Sequence, residues 1–194
     1  NAVFIPLLEK EKVRGADAAR DFFASAWTLT FCVSALLCGA GIVFSRQLVS
    51  LTARGFSDAP GQMALTASLA AALMPHLLFV NSAALFTAAL NSARKFLLPA
   101  LAPALFSISI IVLLLFFHLG VFGSLDAKSK IMLLAATASA SGLLQALALL
   151  PSLTREGYRL NFSNPLGGLG AAPVLLAAAP AAVTLAQDQL SLLI

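Results

Sequence analysis

Long charge-free runs dominate the chain. Residues 59–93 and residues 96–125 contain no Asp, Glu, Lys or Arg, and the basic pair Arg94 and Lys95 separates them. A helix needs roughly 20 apolar residues to cross the hydrocarbon core of a membrane, so each run is long enough to span it. Because two charges are costly in lipid, the basic pair is expected in a short loop at a membrane face.

The same pattern predicts an all-α fold, a polytopic bundle of five membrane-spanning helices. The predicted spans are residues 22–52, 63–91, 97–118, 131–150 and 167–194. Residues 1–8, NAVFIPLL, are apolar but too short to span. Two interpretations of this segment stay open: an interfacial helix or tail, or the end of a preceding span.

The composition supports a membrane protein. Hydrophobic residues make up 60% of the chain and charged residues 10%, with a mean hydropathy of +0.94. About a quarter of the residues of a soluble domain are charged. The net charge of +4 does not indicate nucleic-acid binding, because the twelve basic residues are scattered between apolar runs. We therefore expect membrane lipids, and no nucleic acid, as partners.

The basic residues predict an orientation. If the spans alternate, the amino-terminal segment, the Arg94–Lys95 loop and the segment from Arg155 to Arg159 lie at one membrane face and hold eight of the twelve Lys and Arg residues. The other face holds the remaining four. Cytoplasmic loops carry an excess of Lys and Arg, so the Arg94–Lys95 loop is predicted to be cytoplasmic.

Two polar side chains, His76 and Asn81, lie inside the second predicted span. Polar groups at this depth are costly when they face lipid. They are expected either to bond each other or a neighbouring helix, or to line a substrate path as in transporters.

Asp188 and Gln189 lie in the fifth run, and Asp188 is its one acidic residue. A carboxylate within the membrane costs about 2.5 to 3.5 kcal/mol on insertion scales, so it should face a cavity or a partner. Alternatively, the span ends early and this segment lies at the interface.

Small residues at helical spacing predict close helix contacts. Ala35 and Gly39 form one such pair, and Ala138, Gly142 and Ala146 form a longer stripe.

Enzyme chemistry is not indicated. The sequence has no phosphate-binding loop, no H-E-x-x-H zinc helix and no G-x-S-x-G elbow. Two histidines without clustered acids give no metal site, so we expect neither a metal nor another cofactor.

The stretch LNSARKFLLPALAPALFSI at residues 90–108 resembles the L-N-x-x-x-[RK]-F-x-x-P-A-x-A-P-x-L signature of the MurJ/MviN family of lipid II flippases. NAVFIPLLE, LLPSLTREGY and APAAVTLAQDQLSLLI resemble other segments of that family, in the expected order. The matching signature residues are expected to shape the turn rather than to contact substrate. They are Asn91, Arg94, Lys95, Phe96, Pro99 and Pro103.

The resemblance implies most of one lobe of a two-lobe, fourteen-helix transporter, from about the third to the seventh span. It implies alternating-access transport of lipid II in the bacterial inner membrane for peptidoglycan and cell-wall synthesis. The implied partners are lipid II, membrane lipids and the remaining helices of the protein. A related polysaccharide or multidrug exporter and a non-transporting membrane scaffold are the alternatives.

We predict that Asp188 faces the interior between two lobes, because a carboxylate facing lipid would be neutralised or expelled. Asp188→Asn in the intact protein should insert nearly normally but change the transport rate or its pH dependence. Transport assays over a pH series check this. An unchanged profile would instead favour the interfacial position.

Overall fold

The computed structural model describes residues 4–52 and 60–162, and these residues are helical without any strand. This confirms the predicted all-α class. The described helices are α1 (Phe4–Arg14), α2 (Ala16–Val43), α3 (Ser45–Thr52), α4 (Pro60–Ser92), α5 (Leu97–Leu101), α6 (Ala104–His118) and α7 (Ala127–Arg155). The fifth predicted span, residues 167–194 with Asp188 and Gln189, lies outside the described residues.

Four described segments are long and apolar enough to cross a membrane. They are Ala16–Val43, Gly61–Ser92, Leu97–His118 and Ala127–Arg155. They correspond to the first four predicted runs, and the third joins α5 to α6 through a turn at Ala102 and Pro103.

The first of these helices differs from its predicted range of 22–52. It begins earlier, at Ala16, and ends at Val43, after which Ser45–Thr52 forms a separate helix. At a rise of 1.5 Å per residue, the 28 residues of α2 extend about 42 Å, which exceeds the roughly 30 Å hydrocarbon core. The crossing is therefore complete before Arg46.

The amino-terminal apolar segment packs into the bundle as part of α1. Its Phe4 ring stacks on Phe22 of α2 with ring centroids 5.6 Å apart, and Leu8 is fully buried. The polar groups of this short helix include those of Glu9, Lys12 and Arg14. Helix α1 thus covers one end of the bundle.

The large apolar core lies in one half of the bundle. Helix α2 contributes to it from Ala19 to Trp27, α4 from Ala83 to Leu90, and α7 from Ala146 to Leu153. Its largest fully buried side chains are Leu8, Phe23, Phe86, Leu90, Leu149 and Leu153. This half adjoins the Arg94–Lys95 turn, so we call that end of the bundle the basic end.

In the other half of the bundle, α2 and α7 contact α4 through small side chains. Gly41 of α2 lies so close to Met74 of α4 that a Cβ there would overlap the Met74 sulfur. On α7, Ser139 donates a hydrogen bond from Oγ to the Ala72 carbonyl oxygen of α4. Helix axes can approach closely where only such small groups intervene.

The predicted contact through Gly39 is wrong, since Gly39 is exposed and no described atom lies within 4 Å of a Cβ built on it. The buried positions on this part of α2 are Ser34, Cys38 and Gly41. Successive helical residues are turned by about 100°, so a shift of one position moves the contact to another face. The predicted stripe on α7 is in place at Gly142 and Ala146, which are buried.

Helix α6 leaves most of its apolar surface uncovered. Leu113 is its one buried residue, whereas Ile108, Ile111 and Leu115 are more than half exposed. A helix that is apolar all around and exposed in this way is suited to contact with lipid or with further helices.

We predict that the basic end faces the cytoplasm. In a background without Cys32 and Cys38, Phe96→Cys should be labelled by a membrane-impermeant thiol reagent only after the cytoplasmic side is opened, because Phe96 is exposed in the basic loop. Ser124→Cys, exposed beyond α6 at the opposite end, should be labelled from the periplasm. The reverse pattern would contradict the orientation.

Candidate functional site

Four helix ends meet at the basic end: the last turns of α1, α4 and α7 and the first turn of α2. Lys12 of α1 bonds Ser92 of α4, and Lys95 lies 3.7 Å from Glu156 beyond α7. Arg20 of α2 packs on Gly157. The three basic segments that the sequence predicts at one membrane face are therefore in mutual contact.

Helix α4 ends in a Schellman turn formed by the signature residues. The Lys95 backbone N–H donates to the Leu90 carbonyl oxygen at 2.9 Å, and the Arg94 N–H donates to the Asn91 carbonyl oxygen at 3.0 Å. Arg94 occupies the left-handed region with φ 60°. The turn reverses the chain within a few residues and directs it into α5.

The left-handed position of this turn usually holds glycine. Helices α6 and α7 end with the same pair of backbone hydrogen bonds, and there the position is filled by Gly120 with φ 75° and Gly157 with φ 85°. A residue with a Cβ pays roughly 1–2 kcal/mol in this conformation. At α4 the position is filled by Arg94, which places a cationic residue at the carboxyl-terminal end of the helix, where positive charge is favourable.

Lys12 reaches the same helix end from α1. Its Nζ donates to the carbonyl oxygen and to the hydroxyl of Ser92, both at 2.9 Å, and lies 2.8 Å from Glu9 Oε1. The last carbonyls of a helix have no partner within it. The ammonium group satisfies one of them and offsets the partial negative charge there.

Tyr158 follows the turn at the end of α7 and is buried against Phe23, with ring centroids 4.9 Å apart. Burial raises the pKa of its hydroxyl, and a hydrogen bond with Ser92 opposes that rise. Tyr158 therefore stays neutral in the physiological range and joins the end of α7 to the end of α4.

The remaining signature residues follow this turn along the chain. Phe96 is 60% exposed at the start of α5, Pro99 is buried within α5, and Pro103 directly precedes α6. Proline suits the first turn of a helix, where its missing N–H has no acceptor to serve. These positions fit a turn-shaping role, and the absence of substrate contact stays a prediction.

His76 lies where α4, α6 and α7 meet. Its ring centroid is 5.6 Å from that of Phe106, and a Cβ built on Gly142 would come within 2.9 Å of its Nδ1. Nδ1 is buried and has no hydrogen-bond partner within the described chain. The histidine is thus wedged between helices with one ring nitrogen unsatisfied.

Asn81 faces a different neighbour. Its Nδ2 donates to Ser34 Oγ of α2 at 2.9 Å. Five residues along a helix correspond to a rotation of about 140°, so His76 and Asn81 point to different sides of α4 and do not meet. The hydrogen bond to a neighbouring helix, one of the two interpretations from sequence, is present for Asn81, and its place in a substrate path stays a prediction.

Sequence reasoning did not find Lys12, Arg20, Ser92 or Tyr158 as members of the site. Each acts through a residue distant in the chain, as in the 80-residue separation of Lys12 and Ser92. The one available signal was their position near the ends of predicted spans.

The fold and its charged end define a polytopic helical membrane protein. A family model described as Lipid II flippase MurJ matches residues 1–194. The chain therefore belongs to the MurJ family, whose members are transporters of the bacterial inner membrane rather than enzymes.

Relatives share moderate identity with the chain. A probable lipid II flippase MurJ of Rhizobium meliloti (strain 1021) is 30% identical over 100% of this chain and 36% of its own length. The lipid II flippase MurJ of Burkholderia cenocepacia is 29% identical over 98% of this chain and 37% of its own length. The chain thus spans about a third of the length of these curated relatives.

We predict different effects of two substitutions at Arg94 on the melting temperature. Arg94→Gly should leave the melting temperature unchanged or raise it by stabilising the left-handed turn by up to about 1 kcal/mol, whereas Arg94→Val should lower it because a β-branched side chain is strained at positive φ. Thermal unfolding in detergent, followed by size-exclusion chromatography, measures both. Equal melting temperatures for the two variants would contradict the turn assignment.

Proposed function

We propose that the chain is part of a lipid II flippase and supplies about the third to the seventh span of a fourteen-helix, two-lobe transporter. The observation that carries the proposal is the family match over the full 194 residues. The four membrane-length helices are consistent with it. The match to this family favours lipid II over the substrates of related exporters.

The proposed mechanism is alternating access. The polar headgroup of the lipid enters a hydrated cavity between the lobes, while the polyprenyl tail stays in the bilayer. Sugars and phosphates carry many polar groups, and moving them through hydrocarbon without partners is costly. A cavity that opens first to one membrane face and then to the other removes most of that cost.

Within this mechanism, His76 is a candidate for the substrate path among the described residues. The unsatisfied Nδ1 at the junction of three helices supports the proposal, since a small rearrangement there would offer a donor or acceptor. Asn81 uses one amide N–H on Ser34, and it remains a proposed path residue on the sequence argument. Asp188 and Gln189 remain proposed path residues on the sequence argument alone.

The proposal predicts transport by the intact protein and none by the 194-residue chain alone, because one part of one lobe cannot enclose a cavity. Both should be reconstituted in liposomes with fluorescent lipid II, and translocation followed by quenching from outside. The Burkholderia cenocepacia relative serves as the matched positive control.

If that control moves the lipid and the intact protein does not, the proposed function is wrong. If the isolated chain raises translocation above that of empty liposomes, the two-lobe mechanism is wrong instead.

A further inference from the structure

A polar basin of about 580 Å³ opens at the basic end, between the first turns of α2 and the segment that follows α7. Its charged lining consists of Asp17, Arg20, Asp21 and Arg159. Thr154 and Asn161 add a hydroxyl and an amide. The basin therefore offers two carboxylates and two guanidinium groups within one concave surface.

Two of these four charged side chains form an ion pair with each other, and the other two do not. Arg20 Nη1 lies 3.0 Å from Asp17 Oδ1, and its guanidinium rests on Gly157, where a Cβ would come within 3.0 Å of Nη2. Asp21 and Arg159 are exposed and have no ion-pair partner within residues 4–52 and 60–162. One positive and one negative group in the lining of the basin, Arg159 and Asp21, thus remain for a ligand.

An apolar surface continues from the rim of the basin. Ala24 lines the basin, and Trp27 and Phe31 follow at helical spacing on the same face of α2. Phe162 packs on both rings, with centroid distances of 4.9 and 5.8 Å, yet stays 68% exposed. Trp27 is itself buried, so a ligand held in the basin would have the exposed Phe162 ring and the partly exposed Phe31 ring beside it.

We infer that this basin binds the headgroup of a zwitterionic membrane phospholipid with a primary ammonium, of the phosphatidylethanolamine type. Its ammonium group would lie at Asp21 and its phosphate at Arg159 and Arg20, with an acyl chain across Phe162. A purely anionic headgroup would leave Asp21 without a partner, and a free cation would leave Arg159 without one. The exposed apolar surface selects a lipid over a soluble zwitterion.

Lipid retention by the delipidated intact protein, measured by native mass spectrometry, tests the inference. Phosphatidylethanolamine should be retained more than phosphatidylcholine, which has the same charge but no N–H donors, and more than phosphatidylglycerol, which lacks the cation. Arg159→Gln and Asp21→Asn should each weaken phosphatidylethanolamine binding by about two- to fivefold, the range for one exposed charge pair. Lys128→Gln, an exposed charge change at the other end of α7, is the matched control and should have no effect.

Asp21→Asn has a distinctive expected outcome, since it should weaken phosphatidylethanolamine binding while leaving or increasing phosphatidylglycerol binding. Equal retention of the three lipids by the unaltered protein would overturn the inference, as would preference for phosphatidylglycerol or variants that bind like the Lys128→Gln control. Retention is measured without translocation, so the result stands apart from the flippase proposal.

Discussion

Helix α4 has 33 residues, and its last carbonyl groups carry a partial negative charge. The residues of the basic end are arranged around these carbonyl groups and offset that charge. Lipid offers no hydrogen-bond donors to the last carbonyl groups of a helix. The turn supplies two backbone N–H groups, and Lys12 supplies an ammonium from α1. A charged helix preceding the first span is therefore part of the bundle and not an accessory to it.

The same helix end brings in α7. Lys95 pairs at long range with Glu156, and buried Tyr158 lies between Phe23 and Ser92. An exposed ion pair contributes little by itself. Burial of the tyrosine ring contributes more, because aromatic side chains carry a large contact area and still offer a hydroxyl for a hydrogen bond. Polar contacts and apolar packing thus join the same helix ends at the basic end of the bundle.

The sequence predicted what depends on local composition. Four spans follow from the length of charge-free runs, and the turn at Arg94 follows from a basic pair between two of them. The end of α2 at Val43 was missed because residues 44–52 remain partly apolar, and the contact face of α2 was misplaced by one residue. The bonds of Lys12 to Ser92 and of Asn81 to Ser34 depend on how distant helices dock, which periodicity does not encode. Asp188 and Gln189 lie outside the described residues, so their role in a substrate path stays a prediction from the sequence.

The two halves of the bundle are interlocked to different degrees. Interdigitated rings and leucines hold the basic end, whereas Gly41, Ala72 and Ser139 hold the other half through small groups. Lipid tails are as apolar as leucine, so helices that part in the membrane exchange protein contacts for lipid contacts at modest cost. Parting at either end would break interhelical hydrogen bonds, such as Lys12–Ser92 at the basic end and Ser139–Ala72 in the other half, but parting at the basic end would in addition expose packed rings. Among α2, α4 and α7, separation therefore costs least in the half of the bundle opposite the basic end.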